Sequence, residues 1–258
     1  MLIDSHCHLD DTVFDNDRIA LLEAARRRGI AAHVLPATTA ANWPRLRQIC
    51  SQHSGLYATY GLHPMFLEHH KPGDLEALRE LLQHNRSAGI GECGLDFSQD
   101  TTDKKAQHHW FENQLVLARE FNLPIVIHAR GAVEAVISAI RASGHYRGVV
   151  HSYNGSAVQA KRLIDLGYLM SFGGAVTYDR ARRLRELVTH LPLDALMLET
   201  DAPDQPDARH RQQRMQPEWL IDIFEVFCNL RSEAPDTIAQ ATTDNALSLF
   251  SIDAADLK

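Results

Sequence analysis

Long apolar runs are missing from this chain. No stretch approaches the roughly 18 consecutive apolar residues that a membrane-spanning helix needs, so no membrane span is expected. No basic segment followed by an apolar run stands near Met1, which argues against a secretion signal and leads us to expect a cytoplasmic protein. Cysteine is sparse and scattered. Cys7, Cys50, Cys93 and Cys228 form no close pair and no CxxC, so neither a disulfide framework nor a structural zinc site is expected. Repeats, low-complexity tracts and Gly/Ser linkers are also missing, and nothing divides residues 1–258 into more than one domain. An excess of positive charge is lacking too. The formal net charge of −7 argues against non-specific wrapping of nucleic acid, although a small basic patch inside a cleft is compatible with it.

What is present is an ordinary soluble composition, 45% hydrophobic and 23% charged, with enough apolar residues for a large core. Strand-like apolar runs cover 2–6, 30–36, 56–61, 89–92, 124–128, 148–151, 168–172 and 195–199. Amphipathic stretches lie between them, among them 18–28, 75–82, 107–121, 158–166 and 181–189. About eight strands alternating with helices, at roughly 30 residues per unit, predict an α/β fold: one (β/α)8 TIM-type barrel. Residues 217–230 and 235–250 read as extra C-terminal helices that complete the outer ring. The segment 202–216, long, polar and basic, follows the last strand, and would hang over the face where barrels carry their function.

Polar residues cluster where these strands end. Asp4-Ser5-His6-Cys7-His8 closes the first strand. Side chains on a strand alternate with period two, so Asp4, His6 and His8 are expected on one side and Cys7 in the core on the other. His63, Glu92, His128, His151 and Asp201 each end another apolar run. That many polar groups in a closed barrel mouth would cost several kcal/mol unless satisfied, and divalent metal would satisfy them. His6, His8 and Asp201 would share one ion, His128 and His151 would hold a second, and Glu92, with two oxygens and a central place, would bridge both. Mixed imidazole and carboxylate ligands suit zinc or manganese, while magnesium prefers more oxygen. Two divalent ions per chain, zinc, manganese or magnesium, are therefore expected. A lysine bridge is excluded, because Lys71, Lys104, Lys105, Lys161 and Lys258 all lie away from strand ends. His33, His53, His69, His70, His84, His108, His109, His145, His190 and His210 are expected mostly on the solvated surface.

The motifs IDSHCHLD, YGLHP, GECGLDF, PIVIHAR, VVHSYNG, MSFGG and LETDAP occur in that order. Together they resemble the TatD-like metal-dependent deoxyribonuclease family, within the amidohydrolase-like barrel group, and most of all its YjjV-type branch. The resemblance spans nearly the whole chain. It implies metal ligands at His6, His8, Glu92, His128, His151 and Asp201, with Asp201 also the proton acceptor and Asp201 and Glu92 the catalytic pair. It implies a substrate-side role for His63, and hydrolysis of DNA phosphodiester bonds, often from the 3′ end. Two segments differ from the family pattern. Arg214-Met215-Gln216-Pro217 stands where an Arg-Asn-Glu-Pro element is common, and His151-Ser152-Tyr153-Asn154-Gly155 where His-x-Phe-x-Gly is familiar.

The reading that follows is an exodeoxyribonuclease acting through a dinuclear metal-activated water, with single-stranded DNA or chain ends as substrate and no obligate protein partner. Arg130 would meet a phosphate oxygen, Tyr153 would stack on a terminal base, and Arg209, Arg211 and Arg214 would draw in the backbone. Hydrolysis of a small ester or amide, such as a cyclic amide or an aminoacyl ester, stays open as an alternative. So does a non-catalytic nucleic-acid-binding module, which the intact ligand set disfavours.

Overall fold

The computed structural model describes residues 1–99 and 103–257; Lys258 lies outside them. Eight parallel strands run in the order of the sequence: β1 Leu2–Asp4, β2 Ile30–Pro36, β3 Leu56–Tyr60, β4 Gly89–Asp96, β5 Ile125–Arg130, β6 Gly148–Val150, β7 Tyr168–Phe172 and β8 Leu196–Leu198. The helices between them are α1 Arg18–Arg27, α2 Trp43–Gln52, α3 Asp74–His84, α4 Lys104–Glu120, α5 Val133–Ser143, α6 Ala157–Asp165 and α7 Arg182–His190. After β8 come α8 Leu220–Leu230 and α9 Pro235–Phe250. This is the (β/α)8 barrel the alternation predicts. Strands such as Ile125-Val126-Ile127 are buried on both faces, as expected where a parallel sheet is covered by helices outside and side chains inside.

The first strand ends at Asp4, two residues earlier than the apolar pattern suggests, because the chain then stops pairing with one neighbour only. The Ser5 amide donates to Leu198 O of β8 (2.9 Å), and the Cys7 amide to Val34 O of β2 (3.0 Å). The Ser5 bond and a further one from His8 N to Ala202 O (2.7 Å) close the seam between β8 and β1 at the mouth. Cys7 is fully buried in the main core, as its place on the opposite side predicts. Asp4 departs from expectation. Its carboxylate accepts from the Thr200 amide (2.9 Å) and hydroxyl (2.6 Å) and from the His6 amide (3.3 Å), so it ties the seam together behind the site instead of entering it.

The fourth strand runs on to Asp96, well past Glu92. Gly91 and Gly94 allow this, both with φ in the left-handed region. A Cβ at Gly91 would sit 2.4 Å from Val126 O, and one at Gly94 2.1 Å from His128 O. Only glycine fits this approach, which draws Glu92 against His128.

The C-terminal helices do more than complete the ring. Ile3, Val34, Val126, Val149 and Met197, from strands around the barrel, form one buried cluster with Leu249, Phe250 and Ile252. The end of α9 therefore closes the lumen where the strands begin. Arg147, just before β6, holds the Leu249 carbonyl there (2.7 Å). No helix among the described residues is long and apolar enough to cross a membrane.

Candidate metal centre

Strand ends bring His6, His8, His63, Glu92, His128, His151 and Asp201 to one cavity of about 900 Å³ at the barrel mouth; all of them except His6, fully buried behind it, line the cavity wall. His6 Nε2 and His8 Nε2 are 3.3 Å apart. Glu92 Oε2 lies 3.3 Å from His6 and 3.5 Å from His8, and Asp201 Oδ1 lies 3.4 Å and 3.5 Å from the same two nitrogens. Five of the six distances among these four donor atoms therefore lie between 3.3 and 3.5 Å, close enough for imidazole nitrogens and carboxylate oxygens to share one divalent cation. The donor set and its spacing both fit a divalent cation.

The other Glu92 oxygen belongs to a different set. Oε1 is 2.8 Å from His151 Nε2 and 3.2 Å from His128 Nδ1, and those two nitrogens are 3.3 Å apart. The His6 ring stacks on that of His151, centroids 3.9 Å apart, so the two sets are in contact.

Two carboxylates that sequence reasoning passed over stand behind the second pair. Asp96 Oδ2 accepts from His128 Nε2 at 2.8 Å, which leaves the Nδ1 lone pair facing the site. Such a carboxylate behind a histidine fixes its tautomer and raises its basicity as a ligand. Glu199 lies 3.8 Å from His151 Nδ1, too far for a direct bond, and is itself held by the Ser152 amide (2.6 Å) and the Ser171 hydroxyl. The sequence carries a signal for both: Asp96 in GECGLDF ends β4, and Glu199 in LETDAP directly follows the apolar run of β8.

His63 is held differently. The Met65 amide donates to its Nδ1 (3.1 Å), so neutral His63 carries its proton on Nε2 and donates it to Glu92 Oε1 at 2.9 Å. An Nε2 that carries a proton has no lone pair for a metal. Burial pushes the pKa of His63 down, against the pull of Glu92, which keeps this neutral form. Burial would push Glu92 up, but the imidazoles of His63, His151 and His6 outweigh it and hold the carboxylate well below its usual range. Asp201, also buried, is held down to about 2 by His8 and His6.

Several expectations are corrected. Tyr153 is 1% exposed, its hydroxyl donates to Ser156 O (2.7 Å), and its ring meets Phe172 edge-on. It fills the core place of a phenylalanine and offers no face to a base. Arg209 pairs with Asp222 and Glu225, Arg214 pairs with Asp17 and lies over Phe14, and Arg211 lies over Tyr178. The arginines of the 202–216 loop thus each have a neighbour within the fold, with Arg209 and Arg211 still exposed. The same loop does reach the site through Gln205, whose amide donates to Asp201 and accepts from Ser152 Oγ. Arg130, at the end of β5, is exposed and lines the cavity. His33 and His145 are buried rather than on the surface. His145 bonds Leu123 O and Tyr168, while His33 faces Asp4 at 3.7 Å.

Comparison with known proteins bears on the family and the fold. The model of TatD related DNases matches residues 3–251. The chain belongs to the TatD related DNase family. The metal-dependent hydrolase YjjV of Escherichia coli K12 is 38% identical over 253 residues, covering 97% of this chain and 98% of that protein. The crystal structure of the same TatD homologue superposes with a TM-score of 0.95 over 98% of both chains. A Rahnella protein named 3′-5′ ssDNA/RNA exonuclease TatD is 31% identical, covering 96% of this chain and 97% of that one. The chain is thus a metal-dependent hydrolase by family, on the TIM-type barrel of its relatives.

Proposed function

We propose that this protein hydrolyses phosphodiester bonds at the ends of single-stranded DNA, with two divalent ions per chain. The observation that carries the reading is the division of Glu92, whose Oε2 faces His6 and His8 while its Oε1 faces His128 and His151. The exonuclease named among its relatives supports the choice of substrate.

Divalent ions bound there would supply Lewis acidity and a water of lowered pKa. The residues of the chain do the rest. Asp201, with Oδ1 toward the imidazoles and its other oxygen held by Gln205, takes the proton of the attacking water. The water oxygen bonds to phosphorus, the phosphorus–oxygen bond to the rest of the strand breaks, and the proton passes to the departing oxygen. Arg130 meets a non-bridging phosphate oxygen through a charge-assisted bond. His63 holds Glu92 in place from the substrate side.

Asp10, Asp11 and Asp204 also line the cavity. Their charge disfavours threading a long polyanion and favours admission of one chain end. The same carboxylates favour the second reading, hydrolysis of a small ester or amide. The test is release of nucleotides from end-labelled single-stranded DNA by metal-supplemented protein, with a chelator control and Asp201→Asn alongside. Stepwise shortening that needs metal and Asp201 is expected. Intact DNA from protein that holds two ions by elemental analysis would move the search to small esters and amides.

A further inference from the structure

The cavity wall contains two large apolar side chains that the chemistry above does not use. Met65 is 46% exposed and Phe66 36%. The other large exposed apolar residues, such as Val13, Ile19 and Val158, do not line the cavity. A single exposed apolar side chain needs no explanation. Two adjacent ones over a hydrolytic site are a different matter, because the segment that carries them is fixed.

The turn Pro64–His69 that follows β3 is tethered at its base. Buried Gln107 donates to Pro64 O (3.0 Å), and buried Gln114 bonds both the amide and the carbonyl of Leu62 (2.8 and 3.0 Å). His70 Nε2 lies 2.9 Å from His63 O, and the Met65 amide bonds the His63 ring. Phe66 interrupts the turn with φ −116° and ψ 32°. Its ring centroid is 5.4 Å from that of His63, which itself touches Glu92. Phe66 is therefore one ring removed from the carboxylate at the centre of the ligand set. An apolar surface held rigid and still left in solvent is already in the arrangement a bound ligand requires.

We propose that Met65 and Phe66 form a shelf that takes the heterocyclic base of the terminal nucleotide. The inference rests on the nuclease reading and names its substrate contact. The occupant must be flat and apolar at one end and anionic at the other, because the same cavity presents Arg130 and a ligand set suited to cations. A terminal nucleotide has both parts. Stacking on an aromatic ring tolerates any base, so the shelf favours a base over no base, with little preference among the four.

The experiment measures equilibrium binding to the metal-loaded protein of single-stranded DNA hexamers with non-hydrolysable methylene phosphonate terminal linkages. One hexamer ends in adenine; others carry a reduced abasic residue at the 3′ or at the 5′ end. Wild type should bind the complete hexamer about 5- to 100-fold tighter than one of the abasic forms. Phe66→Ala should abolish that difference and leave the abasic affinity unchanged, while Phe66→Trp should keep it. Equal affinity of wild type for all hexamers overturns the proposal, as does a Phe66→Ala loss that is the same on complete and abasic DNA. Turnover of the ordinary hexamer, measured in parallel, separates the two readings. Base preference without turnover keeps the shelf and removes the nuclease; turnover without base preference does the reverse.

Discussion

The amide of Asp201 donates to the carbonyl of His6 at 2.9 Å, and the side chains of the same two residues approach to 3.4 Å. One contact closes the barrel between its last and first strands, and the other brings together two members of the candidate ligand set. Asp4, bonded to both Thr200 and His6, fixes the seam from behind. The same pair of residues thus serves both the closure of the barrel and the candidate site, joining its first strand to its last.

Asp201→Asn tests this pairing. The amide keeps the size of the side chain and leaves the main-chain seam intact, so the thermal unfolding curve should stay close to wild type. The ligand charge and the proton acceptor are lost together, and turnover should fall by at least about 100-fold. Near-normal turnover with metal present would remove Asp201 from the role of base.

The two oxygens of Glu92 predict a difference in metal content. His8 touches only the set around Oε2, so His8→Ala should leave about one ion per chain in elemental analysis. Glu92→Gln takes charge from both sets and should reduce both ions. Loss of both ions in His8→Ala would mean that the two positions fill as a unit.

Asp96 never faces the cavity centre, yet it sets which nitrogen of His128 does. Asp96→Ala frees the imidazole to turn and to change tautomer. Apparent metal affinity should fall about 10- to 100-fold, read by titration with a competing chelator, with the barrel still folded by circular dichroism. Unchanged affinity would show that packing alone orients His128.

The barrel and the gathering of polar side chains at its mouth were legible in the sequence because both follow from where apolar runs stop. Ile125-Val126-Ile127-His128 announces a buried strand and, in its next residue, a polar group at the mouth. What was not legible depends on contacts between distant segments. Asp4 has the strand parity of His6, but Thr200, far along the chain, claims its carboxylate. Arg209 and Arg214 look free in a basic loop until Asp222, Glu225 and Asp17 are folded beside them. Tyr153 reads as a rim aromatic, and only packing against Phe172 and the bond to Ser156 make it core. Nothing in the sequence marks Phe66, because no local feature distinguishes an apolar residue left exposed from one that is buried.

His63 is where ligand and positioning roles separate most sharply. Its Nδ1 accepts the Met65 amide, so its proton sits on Nε2 and points at Glu92. A ligand would need that nitrogen bare. His63→Ala should therefore retain both ions in elemental analysis while kcat falls, because Glu92 loses a donor that offsets its charge. His63→Gln, which can supply an N–H from its side-chain amide, should recover part of the loss. If His63→Ala instead loses an ion and His63→Gln does not regain it, His63 is a ligand and the tautomer inferred from the Met65 bond is wrong.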